Sequence, residues 1–216
     1  MTSIPASAMV SPGIRVCLLL LAMCAGLPLA GQMLREGDLL FCCSDTANAI
    51  TAVTVGVEGL PIDHVAVLHC SDGNDGPLYV IEAVKPAVCI TPLDTFLSEN
   101  ACVLVGRVNV DFDADASVAR CLSMVGKPYD DLFLPGDSAL YCSELVQMNY
   151  VTCSGDLVFG TIPMSFSDET GQITDYWKEF YLSRGMVVPE GVPGTNPGEL
   201  SRRSQVTIIG KYPIHL

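Results

Sequence analysis

Asp63-His64-Val65-Ala66-Val67-Leu68-His69, a loop holding Ser71-Asp72-Gly73-Asn74-Asp75-Gly76, and then Leu78-Tyr79-Val80-Ile81-Glu82-Ala83-Val84 form the most informative stretch of the chain. Two short runs rich in β-branched residues flank strong turn formers, the pattern of an antiparallel hairpin. His64 and His69 are an odd number of positions apart, so on one strand they face opposite sides. Only one of them can share a face with a site. His64 follows Asp63 and opens the strand, where a side chain can reach a cleft. Pairing residue 64 with residue 82 across the loop would project both side chains from the same face, and a slip of one residue would turn Glu82 away. Glu82 lies in an apolar run, where an unpaired carboxylate is costly to bury. His64 is its natural partner; the alternative is a half-exposed strand with Glu82 in solvent.

Working outward, Leu39-Leu40-Phe41-Cys42 reads as a short apolar strand, and Ser44 or Asp45 as the cap of a helix running to about Val55. Val88-Cys89-Ile90 and Cys102 to Val110 read as strands, with a short helical piece near Leu93 to Leu97 between them. Asp113 or Asp115 caps a helix over about Ala116 to Val125, ended by Gly126 and Pro128. Asp137 or Ser138 precedes a helix over about Ala139 to Tyr150, and another helix runs from Asp175 to Arg184. The Pro- and Gly-rich segment Pro189 to Gly198 reads as a surface loop before a strand at Val206 to Ile209. Strands cluster centrally, helices flank them, and there is no βαβ alternation. The expected class is α+β with a mostly antiparallel sheet.

Cys142, in Tyr141-Cys142-Ser143-Glu144-Leu145-Val146, falls in the first turn of a predicted helix. The partial positive charge and free N–H groups of a helix start favour thiolate. The same N–H groups can stabilise an oxyanion. A thiolate nucleophile needs a base, usually His, and the chain has three: His64, His69 and His215 beside the C-terminus. A third group should orient the imidazole, and Glu82 is the candidate. The bland alternative is a buried helix Cys and a structural strand His. Tyr141 is the candidate substrate-contacting residue, lining the cleft or covering the thiol, against plain packing. Trp177 with Tyr176, Phe180 and Tyr181 forms a helical aromatic cluster, core or a substrate wall.

Composition limits the rest. The formal charge is −13, with 24 acidic against 11 basic residues, which argues against nucleic acid and against sustained contact with anionic lipid. Residues 1–30 read as a signal peptide: Arg15, an apolar run from Val16 to Ala25, then Gly26, Pro28 and Ala30, with cleavage expected after Ala30. The run is too short to span a bilayer comfortably, and no later apolar run is long enough. Leu21-Ala22-Met23-Cys24 loosely resembles a lipobox, with bulky Met23 where a small residue is expected, so lipid anchoring at Cys24 is the rival reading. Residues 31–216 then form one domain. Ten cysteines include no CxxC pair, so no metal site is expected, and no nucleotide or EF-hand motif implies a cofactor. Most of the thiols sit among apolar residues and are expected to be reduced and in the core.

Several segments together resemble the YiiX/YebB-like branch of the permuted NlpC/P60 superfamily of papain-like cysteine peptidases and amidases. They are Gly37-Asp38-Leu39-Leu40-Phe41, Asp63-His64-Val65-Ala66-Val67, Val80-Ile81-Glu82-Ala83, Gly126-Lys127-Pro128-Tyr129-Asp130, Tyr141-Cys142-Ser143-Glu144-Leu145-Val146 and Pro193-Gly194-Thr195-Asn196-Pro197-Gly198-Glu199-Leu200-Ser201. His64 precedes Cys142, as in the permuted group. The resemblance implies a circularly permuted papain-like fold with Cys142 as nucleophile, His64 as base and Glu82 as the orienting residue. It implies an exported, periplasmic or extracellular hydrolase of an amide in a peptide, cell-wall peptide or N-acyl amino acid, acting through an acyl-thioenzyme. The alternatives are a lipid acyl hydrolase or acyltransferase of the permuted group, and a non-catalytic ligand-binding module. Oligomeric state is open.

Overall fold

The computed structural model describes residues 34–74 and 76–213. The expected signal segment and His215 lie outside them. The continuous apolar run Leu39–Cys43 forms β1, and all five residues are buried. A run apolar at every position has no solvent face, so it sits at the centre of a sheet covered on both sides. The other strands are β2 (Ile62–Asn74), β3 (Leu78–Ala83), β4 (Val88–Pro92), β5 (Cys102–Val108), the short β6 (Ile162–Pro163) and β7 (Pro193–Gly194), and β8 (Val206–Pro213). The main sheet has six strands in the order β4-β3-β2-β1-β5-β8, and all its pairings are antiparallel. β6 and β7 form a separate ribbon.

The helices are α1 (Leu93–Glu99), α2 (Ala114–Ser123), α3 (Cys142–Asn149), α4 (Asp175–Leu182) and α5 (Pro197–Ser201). Strand alternation sorts the core into two layers. Leu39, Phe41, Val65, Val67 and Ile81 pack with Val118 of α2, Leu145 and Val146 of α3 and Leu200 of α5. Leu40, Ala66, Leu68, Val80 and Val103 pack on Leu93 and Phe96 of α1. A third cluster joins Met164, Phe166, Trp177 and Tyr181, with Ile50, Val53 and Phe133 against it. The expected α+β class with a mostly antiparallel sheet is what the chain adopts.

Four local expectations are corrected. Residues 44–55 form turns and not a helix. The Asn48 carboxamide oxygen accepts the N–H groups of Ile50 and Thr51, and the Thr51 hydroxyl accepts the Asn48 N–H. Such side-chain bonds compete with the helical ladder. The helix expected from Ala139 begins at Cys142, because Leu140 is held extended beside Tyr129, donating to Pro128 O and accepting from Asp130 N. The hairpin register sets Val67 against Ile81 and Leu68 against Val80, which carries Glu82 opposite Ala66 rather than His64. The difference is two residues, so His64 and Glu82 keep a common face. Finally, Pro189 to Gly198 is no surface loop throughout: Gly194, Thr195, Pro197 and Gly198 are buried. It carries β7 and the start of α5, and a Cβ on Gly198 would meet the Val55 backbone at 3.1 Å.

The start of β1 is fixed by a buried charge. Asp38 is 2 % exposed and accepts from Arg107 of β5 through both oxygens, Nε to Oδ1 at 2.8 Å and Nη2 to Oδ2 at 2.6 Å. The Arg35 N–H adds a third bond to Oδ2. Gly37 beside it has φ +76°, and a Cβ there would lie 2.9 Å from the Phe112 ring. Truncating one partner of such a pair leaves a desolvated charge. Asp38→Ala is expected to lower unfolding stability by about 3 kcal/mol, read from urea unfolding; a change within about 0.5 kcal/mol, as for an ordinary surface site, would show that the pair does not anchor the strand.

Candidate active site

Three elements converge on one imidazole. His64 is the third residue of β2. Its Nε2 meets Glu82 Oε2 of β3 at 2.8 Å, and its other side-chain partner is Cys142, the first residue of α3. With Nε2 turned to Glu82, Nδ1 is the nitrogen left for the thiol. Alternation places His64 on the α1 side of the sheet with Cys42 and Ala66, and its ring lies 6.3 Å from Phe96. α3 packs on the opposite face. The two meet near the end of β2, beside a β-bulge that shifts the β1–β2 register between Cys42 and Cys43. The extra residue of the bulge is Asp63, which lines the same cleft as His64 and Cys142.

The carboxylate is held as firmly as the imidazole. Thr91 of β4 donates its hydroxyl to Glu82 Oε1 at 2.6 Å, so both carboxylate oxygens are engaged. Burial opposes the charge on Glu82, but the bonds to His64 and Thr91 and the attraction of the imidazole outweigh it and keep its pKa below the ordinary value. Burial likewise disfavours charge on His64. The bonds to Cys142 and Glu82 and their negative charges outweigh that too, pushing its pKa up to about 10. A protonated imidazole beside the Glu82 carboxylate is therefore the favoured state.

Cys142 is 6 % exposed and stands at the uncapped start of α3, where Tyr141 supplies no side-chain bond to the first turn. It opens onto a narrow cleft with a volume of about 60 Å³. One wall is apolar, from Ile50, Val53, Phe133, Met164 and Phe166. Asp63, Ser143, Thr195 and Asn196 supply polar groups. The aromatic cluster of α4 props this wall: Trp177 donates to Ala49 O at 3.2 Å, Tyr181 to Leu132 O at 2.7 Å, and Phe133 meets the Trp177 ring edge-on at 5.6 Å. Trp177 and Tyr181 are core residues behind the wall. Tyr176, from the same expected cluster, is exposed.

Of the residues singled out from sequence, His64, Glu82 and Cys142 are brought together, and Tyr141 lines the cleft with its hydroxyl accepting the Thr195 N–H at 3.2 Å. His69 is elsewhere, its Nδ1 on Glu36 Oε1 at 2.8 Å. Glu144 is buried at the foot of the cleft loop, accepting backbone N–H groups of Tyr141 and Gly136, and burial and Asp130 push its pKa up to about 8. Sequence reasoning missed Thr91, Asp63 and Thr195. Thr91 shares a face of β4 with Cys89, two positions away, and Cys89 pairs with Glu82, so only the β3–β4 register brings its hydroxyl to the carboxylate. Asp63 is tied to Asn48 Nδ2 at 2.6 Å, and only the folded 44–53 segment brings that partner near.

Residues 33–210 match the model of a family described as permuted papain-like amidase enzymes, YaeF/YiiX, family C92. No curated protein matches the chain. The crystal structure of the metalloprotein YiiX from Escherichia coli O157:H7 has the same fold, with a TM-score of 0.68 at 24 % identity over 83 % of this chain and 98 % of that one. Among the described residues of this chain, no group of three or more His, Cys, Asp or Glu side chains is placed to hold a metal ion. The match runs from just before β1 into β8 and takes in the other five strands of the main sheet and the Cys142 helix, so the chain belongs to the permuted papain-like amidases of the YaeF/YiiX type.

Proposed function

We propose that the chain is an exported cysteine amidase that hydrolyses a small peptide or N-acyl amino acid, with Cys142 as nucleophile, His64 as base and acid, and Glu82 as the orienting group. The observation that carries this reading is the single imidazole joined to Glu82 through Nε2 and to Cys142 on its other side. In the first step His64 holds the thiol proton and the Cys142 sulfur attacks the amide carbonyl. The negative oxygen forms next to the uncapped N–H groups of α3. The imidazolium then protonates the departing amine, which leaves an acyl-thioenzyme. Water, deprotonated by the neutral imidazole, releases the acid and restores the thiol. Glu82, fixed by Thr91, keeps the ring in the tautomer and orientation that serve both transfers.

The apolar wall of Ile50, Val53, Phe133, Met164 and Phe166 suits an apolar side chain or a short acyl group, and the polar groups of Asp63, Thr195 and Asn196 suit the amide end. The same wall is what a lipid acyl group would use, so acyl ester hydrolysis is the second reading. Export rests on Arg15 followed by the apolar run Val16 to Ala25. N-terminal sequencing of the protein secreted from a host cell is expected to begin at Gly31; retention inside the cell with residues 1–30 intact would count against it.

Replacing Cys142 with Ala should reduce turnover of N-acyl amino acids and short peptides by at least about 10⁴-fold while leaving the unfolding transition in place. Turnover that survives in Cys142→Ala sinks the mechanism. Wild-type activity confined to acyl esters would transfer the site to the lipid reading.

The charge state of His64 makes a separate prediction. Its pKa is raised from 6.5 to about 10 in the folded chain, so the folded state binds that proton more tightly than the unfolded state. The stabilisation is complete below pH 6.5 and is lost as pH rises towards 10. The midpoint of thermal unfolding should therefore fall across this window in the wild type and fall less in His64→Ala. Equal pH dependence in the two proteins would mean that the imidazole is not held charged.

A further inference from the structure

Two thiols outside the cleft stand opposite each other on neighbouring strands. β1 and β5 pair antiparallel with Cys42 opposite Val103, so one step further Cys43 comes opposite Cys102. The Cys102 thiol is a hydrogen-bonding neighbour of the Cys43 thiol. Both side chains enter the same core layer, Cys43 as a buried member and Cys102 packed against it from a half-buried position. Residues directly opposed in antiparallel strands have Cα atoms about 4.5 or 5.5 Å apart. Both values lie inside the range of about 4.4–6.8 Å that native disulfides span. The surroundings of the other thiols differ: Cys89 faces Thr91 Oγ1 at 3.8 Å, Cys70 stands by Glu36, and Cys153 is exposed beside Asp111.

We propose that Cys43 and Cys102 are a built dithiol site that closes to a cross-strand disulfide when the chain meets a low-molecular-weight or protein disulfide. The half-buried Cys102 is the entry point. Its thiolate attacks one sulfur of the reagent, the reagent's S–S bond breaks, and one thiolate leaves. Cys43 then attacks the Cys102 sulfur of the mixed disulfide and expels the second thiolate. The chain gives up two electrons, and the two cysteine protons end on the two released thiols. The bond ties β1, whose Cys42 stands opposite His64, to β5. It also withdraws Cys43 from exchange with Cys142, which has to stay a thiol to act. The inference goes beyond the amidase reading and does not depend on it.

The test uses the purified full chain equilibrated with a mixture of oxidised and reduced glutathione. The sample is then acid-quenched, alkylated without reduction, digested and mapped by mass spectrometry. One linked peptide pair joining Cys43 to Cys102 is expected, with Cys142 recovered as an alkylated thiol. In Cys43→Ser, Cys102 should lose its link and appear alkylated or capped by glutathione. Reductant should lower the thermal midpoint of the oxidised wild type and leave that of Cys43→Ser/Cys102→Ser unmoved. If the double variant fails to fold, the wild-type map decides alone. Recovery of Cys43 and Cys102 as free alkylated thiols in oxidised glutathione overturns the proposal, and so does a link from either to another cysteine. A Cys42–Cys142 link in place of the Cys43–Cys102 link overturns it as well, because Cys42 has Cys142 and Glu82 in its own surroundings.

Discussion

The 2.8 Å contact between His64 Nε2 and Glu82 Oε2 is the constraint around which the rest of the site is arranged. Neither group tolerates burial alone, because each loses hydration that only the other replaces. Their side chains are 18 % and 9 % exposed, so the pair lies in the sheet and not on it. Thr91 takes up the second carboxylate oxygen, which leaves Glu82 with one orientation and His64 with one free nitrogen. A ring fixed in this way presents Nδ1 to whatever the fold delivers, and the fold delivers the first residue of α3.

Delivery depends on two other features. The central strand β1 has to be immobile, because β2 with His64 pairs along one of its edges and β5 along the other. The buried Asp38–Arg107 pair and the Tyr150 hydroxyl donating to Gly37 O fix its start on both sides of the chain reversal. The bulge between Cys42 and Cys43 falls beside His64 and leaves Asp63 as the extra residue of β2.

The cleft wall is assembled from segments with no regular structure of their own. Residues 44–53 and the Phe133 loop lie against the aromatic cluster of α4, where Trp177 and Tyr181 each give their polar atom to a backbone carbonyl. On the other side, the Tyr141 hydroxyl holds the Thr195 backbone, so the residue before Cys142 also positions the segment that closes the cleft. Loops seated on a packed core are a common way to combine a rigid site with an adaptable wall. Here the core behind the wall is the aromatic cluster, which explains why those large side chains are spent away from the main sheet.

The candidate site residues were legible because their signals are local. A β-branched run, a turn-forming loop and an apolar run with one carboxylate identify β2, β3 and the partners His64 and Glu82, since period-two alternation is a property of the chain itself. The nearness of Cys142 to a helix start was legible for the same reason. What the sequence could not decide was anything set by a distant partner. Leu140 is kept out of the helix by its pairing with Tyr129, and Asn48 bends residues that carry helical caps into turns. Pro189 to Gly198 has the composition of a loop, yet it is drawn inward because its glycines allow close backbone approach to Val55 and Met164. Thr91 meets Glu82 only through the β3–β4 register, and which nitrogen of His64 faces the thiol follows only from that carboxylate's position. Sequence alone therefore determined Cys142, His64 and Glu82 as the candidate set, and not Thr91, Asp63 or Thr195. Tertiary structure decided their orientation and the walls around them, because hydrogen-bond direction and burial are set by contacts between residues far apart in the chain.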